Sequence, residues 1–550
     1  MIRSSLPTIP FAILLLCANA GEASGRSDPT PLPSGGSGVA RVRTPAPPPP
    51  APAGEASAAP SAGAPALATT SGSPSFQPRL AFDGVINTTL NITPPDTHIA
   101  VGPGYTNEGR VVMVSNSSVQ IWDKSGNTLT TSLLLDTMFG ADVFDPKVLY
   151  DQHSGRFFIV ALEGKSNTPG LSAIHIAISA DGTPDDLTSD WTFLSGSAVT
   201  TIAGTSTWAD YPGIGADASA LFVTANLFSF SAPVAFGGIK IRVFDKADLL
   251  AGIYAYSDLD YDAGAIAVTT TQPAHVFGAT GNGAFYLVSR IGADSYRLFA
   301  VTGHPSAVTA TTSTFPWTAG KFPVDDGADQ CEQAFPDVDT LSARVQSAVY
   351  RDGRVWLTLT ADPDEDDRTE VVWQAIATND YPLSDPSVSQ NGYIDGTGTD
   401  AWTYMPALGV NAQGDAAIVY TQSSSNECPN MYFATRGASD APGSFRDPIV
   451  QRLSDGFYDS YRPDDPDRWG DYAAVAIDPT DDCFWLASEF VWSSGIGNSD
   501  WGTHIANVCS YLPVPAVPTP LLLGLAFSIA FASTHRARHM GARRGATRRR

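Results

Sequence analysis

Residues 471–490 read DYAAVAIDPTDDCFWLASEF, and residues 210–228 read DYPGIGADASALFVTANLF. Set side by side, the two share an Asp-Tyr start, an alternating run, an Asp seven steps on, a turn, and a second apolar run centred on an aromatic residue. Each is preceded by a tryptophan, Trp469 and Trp208. Alternation with a period of two on both sides of a tight turn is the pattern of an antiparallel hairpin.

The hairpin recurs along the chain. YMPALGVNAQGDAAIVYTQ (404–422) carries Asn411 in the Asp column, and DPKVLYDQHSGRFFIVALE (145–163) aligns Pro146 with Pro212. Looser copies start at Asp96, Pro273 and Arg344, and each copy is followed by a third alternating run. The aromatic of the second strand falls at Phe158, Phe222, Tyr286 and Trp356, spaced 64, 64 and 70 residues apart, and Trp485 ends the series. Repeats of four short antiparallel strands at this spacing predict an all-β fold, a seven-bladed β-propeller, with six or eight blades as alternatives. The seventh copy stops at its third strand, THIANVCS, while the strand-like PRLAFDGVINTTL (78–90) precedes the first. That N-terminal segment is expected to complete the last blade and close the ring, leaving no open sheet edge.

The two ends differ from the middle. Residues 1–20 have the charged start, apolar run and small-residue site of a secretory signal peptide. Residues 21–75 are an Ala, Pro, Gly and Ser linker with too few large apolar side chains to fold. The propeller is assigned to 76–512. Residues 513–550 join a Pro motif, PVPAVPTP, to a short apolar run and a tail with seven arginines. This layout resembles the PEP-CTERM class of bacterial sorting signals, with LPVP (512–515) in place of VPEP. The resemblance implies processing by an exosortase-type protease and membrane contact through the C-terminal segment beforehand; a plain membrane anchor is the alternative. The chain is expected to be exported, to the cell surface or beyond.

Between residues 76 and 512 stand 21 Lys and Arg against 53 Asp and Glu, a net charge of −32. Such a surface repels phosphate backbones, so no nucleic-acid partner is expected. Signal removal leaves Cys331, Cys428, Cys483 and Cys509, an even number that suits disulfides in an exported chain. The pairing expected is Cys331 with Cys428 and Cys483 with Cys509.

MPALGVNAQGDAAIVYTQSSS, ATRGASDAPGSF, RWGDYAAVAIDPTDDCFWLASEF and PPDTHIAVGP resemble a family of uncharacterised secreted bacterial propeller-like proteins. The resemblance spans most of residues 92–508. It implies the fold and supplies no activity.

Ligand sites of propellers gather where the innermost strands begin. Asp96, Asp145, Asp210 and Asp471 fall there, with Asp339 nearby, and such a set could hold Ca2+; the same carboxylates suit hydrogen bonds to the turn backbone. His98 stands beside Asp96. Trp208, Tyr211 and Trp469 could form a sugar-stacking platform or pack between blades. ADPDEDDRTE (361–370) and RPDDPDRWGD (462–471) are calcium-loop-like in composition but lack the D-x-D-x-D-G spacing with a closing Glu. The first reads as an exposed connector, and the second is the better metal candidate. SADGTPDDLTSDW (179–191) echoes the Asp-box turn of sialidases with its Trp displaced, and neither G-x-S-x-G nor H-E-x-x-H occurs. The sequence therefore leads to a non-catalytic module for a glycan or an envelope or matrix protein. A glycan-cleaving enzyme acting through mouth carboxylates, and a structural display module, are the alternatives.

Overall fold

The computed structural model describes residues 75–86, 92–291, 295–316, 327–332, 335–398, 400–460, 466–496 and 499–511. The segments read as a signal peptide (1–20) and as a sorting signal or anchor (513–550), and nearly all of the linker, lie outside them, as do residues 462–465 of the second acid-rich stretch. Everything below concerns the compact unit that holds Phe76–Cys509.

Seven antiparallel sheets form the ring. Blade 1 begins at His98–Val101, blade 2 at Val143–Asp151, blade 3 at Thr205–Ala216, blade 4 at Thr271–Pro273, blade 5 at Val345–Arg351, blade 6 at Trp402–Val410 and blade 7 at Ala474–Ile477. These are the innermost strands, and they coincide with the seven copies read in the sequence. Blade 7 continues through Phe484–Ser493 and Asp500–Tyr511 and receives Ser75–Ile86 as its outer strand, the expected closure. Phe76 and Val85 are buried in that seam, Thr503 Oγ1 donates to the Val85 carbonyl at 3.0 Å, and His504 Nδ1 meets Asp83 at 2.6 Å.

Two blades depart from four strands. Blade 3 gains a short first strand, Thr200–Ile202. The chain of blade 4 changes partner after Pro273, and His275–Val276 runs parallel to Val349–Tyr350 of blade 5. A parallel pair here was outside the sequence template.

Packing follows the convergence of strands on an axis. Inner strands carry small residues: a Cβ on Gly409 of blade 6 would stand 2.5 Å from Val475 Cγ1 of blade 7. Larger side chains fill the spaces between blades farther out. The recurring aromatic of the second strand is buried in every copy named above, and Tyr286 stacks on Tyr350 at 5.5 Å between ring centroids. Phe222 lies flat against Phe285 of the next blade at 3.6 Å. Full burial of each such ring contributes roughly 1.5–3 kcal/mol.

A polar stitch accompanies the apolar one on the face where inner strands end. Asp151 of blade 2 meets Lys246 of blade 3 at 2.6 Å, and Asp478 of blade 7 meets Lys124 of blade 1 at 2.8 Å, with all four side chains at most 4% exposed. Asp217 of blade 3 meets His304 of blade 4 at 2.6 Å, which helps to hold its carboxyl down at about 2 against the opposing effect of burial. Asn282 of blade 4 donates to the Tyr381 carbonyl of blade 5 at 2.7 Å. In each case the acidic or amide residue comes from the first turn of one blade and its partner from the third turn of the next.

Both expected disulfides are formed, Cys331–Cys428 and Cys483–Cys509, which suits an oxidising, extracellular setting. Among the described residues no helix is long and apolar enough to cross a membrane.

Removing one partner of a buried ion pair strands the other charge at a cost of about 3–5 kcal/mol. Lys246→Met should therefore lower the urea unfolding free energy by about that amount, and adding Asp151→Asn should restore most of it. Deleting residues 76–86 should lower the melting temperature of all seven blades together, observed as one calorimetric transition moved downward rather than the loss of a separate minor one.

Candidate functional site

Where the inner strands begin, the chain repeats a strained turn. Asp96, Asp145, Tyr211 and Met405 have φ of 49–53°, left-handed values that non-glycine residues rarely adopt. The last three are each followed by proline and sit in bulges, where the pairing register shifts between Phe144 and Lys147, Asp210 and Gly213, and Tyr404 and Ala407. The bulges turn side chains and backbone N–H groups toward the axis.

What gathers there is a hydrogen-bonded circuit. Asp471 of blade 7 donates its backbone N–H to Asp96 Oδ1 of blade 1 at 3.0 Å, and Asn116 Nδ2 donates to Asp96 Oδ2 at 2.7 Å. Asn116 Oδ1 accepts the backbone N–H of Asp145 in blade 2 at 3.1 Å, and Asp145 Oδ2 accepts that of Tyr211 in blade 3 at 3.1 Å. Tyr211 returns to blade 7, its hydroxyl donating to the Asp471 carbonyl at 3.0 Å. Four blades are thus tied mouth to mouth.

Burial is the main reason the carboxyls of Asp96, Asp145 and Asp210 are pushed above the ordinary range; repulsion from Asp471 adds to it in all three, and from Asp145 in Asp96 and Asp210. Asp210 keeps part of its surface exposed but lies against Asp145, which shares a hydrogen bond with it. Two cations answer the cluster. Lys147 Nζ sits 3.2 Å above the centre of the Tyr472 ring, and burial brings it down to about 7 despite Asp96, Asp145 and Asp471 nearby. Arg468 bonds Asp339 at 3.0 Å and also pairs with Asp471.

The aromatic residues expected at the mouth are present but do not form a sugar platform. Trp469 is fully buried, donates from Nε1 to Thr421 Oγ1 at 3.1 Å, and meets Tyr458 edge-on. Tyr211 packs edge-on to Tyr472, and Trp208 is wedged between Phe144 and Phe228 at the seam of blades 2 and 3. Tyr211 and Trp469 pack in one cluster with Ala328, Val338 and Tyr458 of two inter-blade connections. There Val338–Asp339 pairs in parallel with Asp467–Arg468, and Gln330 bridges the backbone of Pro336 and Tyr458. The Cys331–Cys428 disulfide fastens the first of these connections to blade 6.

His98 is half-buried and faces the channel rather than the circuit; burial, then Lys147, holds its imidazole well below the ordinary value. Below the mouth the channel widens into a cavity of ≈ 100 Å3 whose polar wall includes His98, Lys147, Gln272, His275 and Gln346. His275 is held neutral, at about 4, by burial; its Nδ1 accepts from the Ala216 N–H and its Nε2 meets Gln152 Oε1.

Asp96, Asp145, Asp210 and Asp471 do not form a metal-binding donor set among the described residues. Asp96 and Asp145 face amide donors of neighbouring blades, and Asp471 faces Arg468. The 361–370 stretch corrects the sequence reading in the other direction. It is more than an exposed connector, since it brings Asp362, Asp364, Asp366 and Glu370 together, with Glu370 buried. A third acidic group, Asp481 with Cys483 and Cys509, is disqualified as a thiolate site by the disulfide.

Asn116, Lys147, Arg468 and Glu489 were missed in the sequence. Glu489 lies in the second strand of blade 7, fully buried, and neither carboxylate oxygen finds a donor in another residue. Its Oε1 would stand 2.2 Å from a Cβ at position 470, which is why glycine is required there. The only signal available was one acid in the apolar run FWLASEFVWS.

No protein-family model and no curated protein matches the chain. Among solved structures it is similar in fold to an arabinanase of Bacillus subtilis, at 13% identity over 55% of this chain and 96% of that one, with a TM-score of 0.26. An exo-1,5-α-L-arabinanase from a bovine ruminal metagenomic library gives 11%, 56%, 97% and 0.29 for the same measures. The WD40 domain of SCAP from fission yeast gives 7%, 79%, 98% and 0.30. None of these bears on the chemistry of the site.

Burial raises the Glu489 carboxyl to about 8, above its unfolded value. A raised carboxyl favours the folded state fully below the unfolded pKa, and that contribution is lost as pH climbs toward 8. Each unit of separation corresponds to about 1.4 kcal/mol. Glu489→Gln should match the wild type at pH 4 and exceed it at pH 8, read as urea midpoints across that range.

Proposed function

We propose that the chain is an exported, surface-displayed propeller that binds an extracellular glycan or an envelope or matrix protein without turning it over. One observation carries the reading: the mouth carboxylates that a hydrolase would need are engaged within the ring. Asp96 and Asp145 accept backbone N–H groups, Asp471 pairs with Arg468, and two cross-braced connections cover the mouth. The channel cavity of ≈ 100 Å3 is small beside the roughly 300–1,000 Å3 of ordinary ligand pockets. It suits a few waters. Binding is therefore assigned to the outer loops, and surface sorting to the processing of residues 513–550 by an exosortase-type protease, after export directed by residues 1–20.

A second reading draws on Asp145 and Asp210. Adjacent carboxyls with raised proton affinity are an acid–base pair in chemical terms, and glycan cleavage through them is the rival.

Arrays of glycans and envelope proteins, screened with the recombinant chain and followed by product analysis of each hit, separate the two. The binding reading expects retention of ligand with no new reducing ends and unchanged affinity in Asp210→Asn. Released sugar that disappears in Asp210→Asn would replace it with the hydrolase.

A further inference from the structure

In blade 5 the second strand, Arg354–Ala361, is joined to the third, Glu370–Ala377, by a loop of sequence DPDEDDRT. Together with Glu370 it carries six carboxylates, of which those at the first, third, fifth and ninth positions come together. Because strands alternate in direction, this loop lies on the same face of the ring as the mouth.

The loop folds around its first residue. Asp362, buried, accepts the backbone N–H groups of Glu365 at 2.7 Å, Asp366 at 3.2 Å and Asp367 at 3.3 Å. Glu365 and Asp367 take left-handed φ values of 64° and 68°, which let so short a segment wrap back on itself. The wrap brings one oxygen from each of Asp362, Asp364, Asp366 and Glu370 within 4.8 Å of one another. Arg368 pairs with Asp366 at the edge of the group.

An acidic cluster alone would be unremarkable on so acidic a chain, but Glu370 makes this one different. It has no exposed surface, and among the described residues neither of its carboxylate oxygens has a hydrogen-bond partner. Buried carboxylates are nearly always satisfied by donors, and this one is turned toward three other carboxylates instead. The arrangement is unfavourable for the protein alone and favourable around a cation.

The donor set selects among cations. Ca2+ takes six to eight oxygens at about 2.3–2.6 Å and accepts several carboxylates in a flexible shell, whereas Mg2+ keeps most of its waters and is usually held through only one or two carboxylates. Four carboxylates gathered within 4.8 Å of one another suit Ca2+. We infer that the blade 5 loop is a Ca2+ site in which Asp362, Asp364, Asp366 and Glu370 are the protein ligands. It is separate from the mouth aspartates and independent of the glycan or protein reading.

The test is calorimetric titration of the full chain with CaCl2, with MgCl2 for comparison, in wild type, Asp364→Asn, Glu370→Gln and Asp210→Asn. Asp364 is exposed, so its variant keeps the fold even if Glu370→Gln does not. The expected result is a Ca2+ site that prefers Ca2+ over Mg2+, weakened at least tenfold by Asp364→Asn and unaffected by Asp210→Asn. Absence of Ca2+ binding to the wild type up to millimolar concentration overturns the inference. So does Ca2+ binding that Asp364→Asn leaves unchanged.

Discussion

The pairing of Ser75–Ile86 with Asp500–Tyr511 is the seam on which the ring depends. Without it the third strand of blade 7 would present a row of unpaired N–H and C=O groups, and the apolar faces of blades 7 and 1 would meet along an incomplete sheet. The two partners lie more than 400 residues apart, yet the entropy of closing a loop grows only logarithmically with its length. The delay falls on folding rate instead, because a contact so distant in sequence forms only after the intervening blades have shortened the path.

Once closed, the ring is held by different chemistry at its two faces. Where inner strands end, ion pairs and amide bonds join the first turn of one blade to the third turn of the next. Where they begin, Asp96, Asn116, Asp145, Tyr211 and Asp471 form one circuit. Apolar packing between blades is roughly indifferent to small slides of one sheet along another, whereas these polar contacts admit one register. They have a second effect: a carboxylate that accepts a backbone N–H is poorly placed to act on a ligand. The features that make the mouth look like an active site in the sequence are the ones that make it rigid.

How far the sequence could be read depends on where each residue finds its partner. Blade number and ring closure follow from local alternation, turns and the spacing of Phe158, Phe222, Tyr286 and Trp356, and the disulfide pairing from Cys483 and Cys509 falling on neighbouring strands of the last copy. The Asp column was visible at Asp217, Asn411 and Asp478, but not its purpose, since Lys124 lies 354 residues before its partner Asp478. Lys147 and Glu489 were hidden for the same reason: the groups they face come from other segments of the chain, and Glu489 is a single acid in an apolar run. For Trp208 and Trp469 the sequence left a sugar platform and packing between blades both open, and the structure buries both rings, Trp208 between blades and Trp469 beside irregular connections whose packing no local pattern reveals. The 361–370 loop was measured against a twelve-residue calcium loop, whereas here the return strand begins nine residues on and carries the fourth carboxylate itself.

The switch of partner in blade 4 affects how such a molecule can change over generations. Rings of similar blades are open to growth by copying or losing one unit, because each unit is a self-contained sheet. Between blades 4 and 5 that modularity is broken: His275–Val276 belongs by chain to one and by hydrogen bonding to the other. Duplicating or excising either alone would break the pairing of His275–Val276 with Val349–Tyr350, whereas copying or losing the two together would keep it.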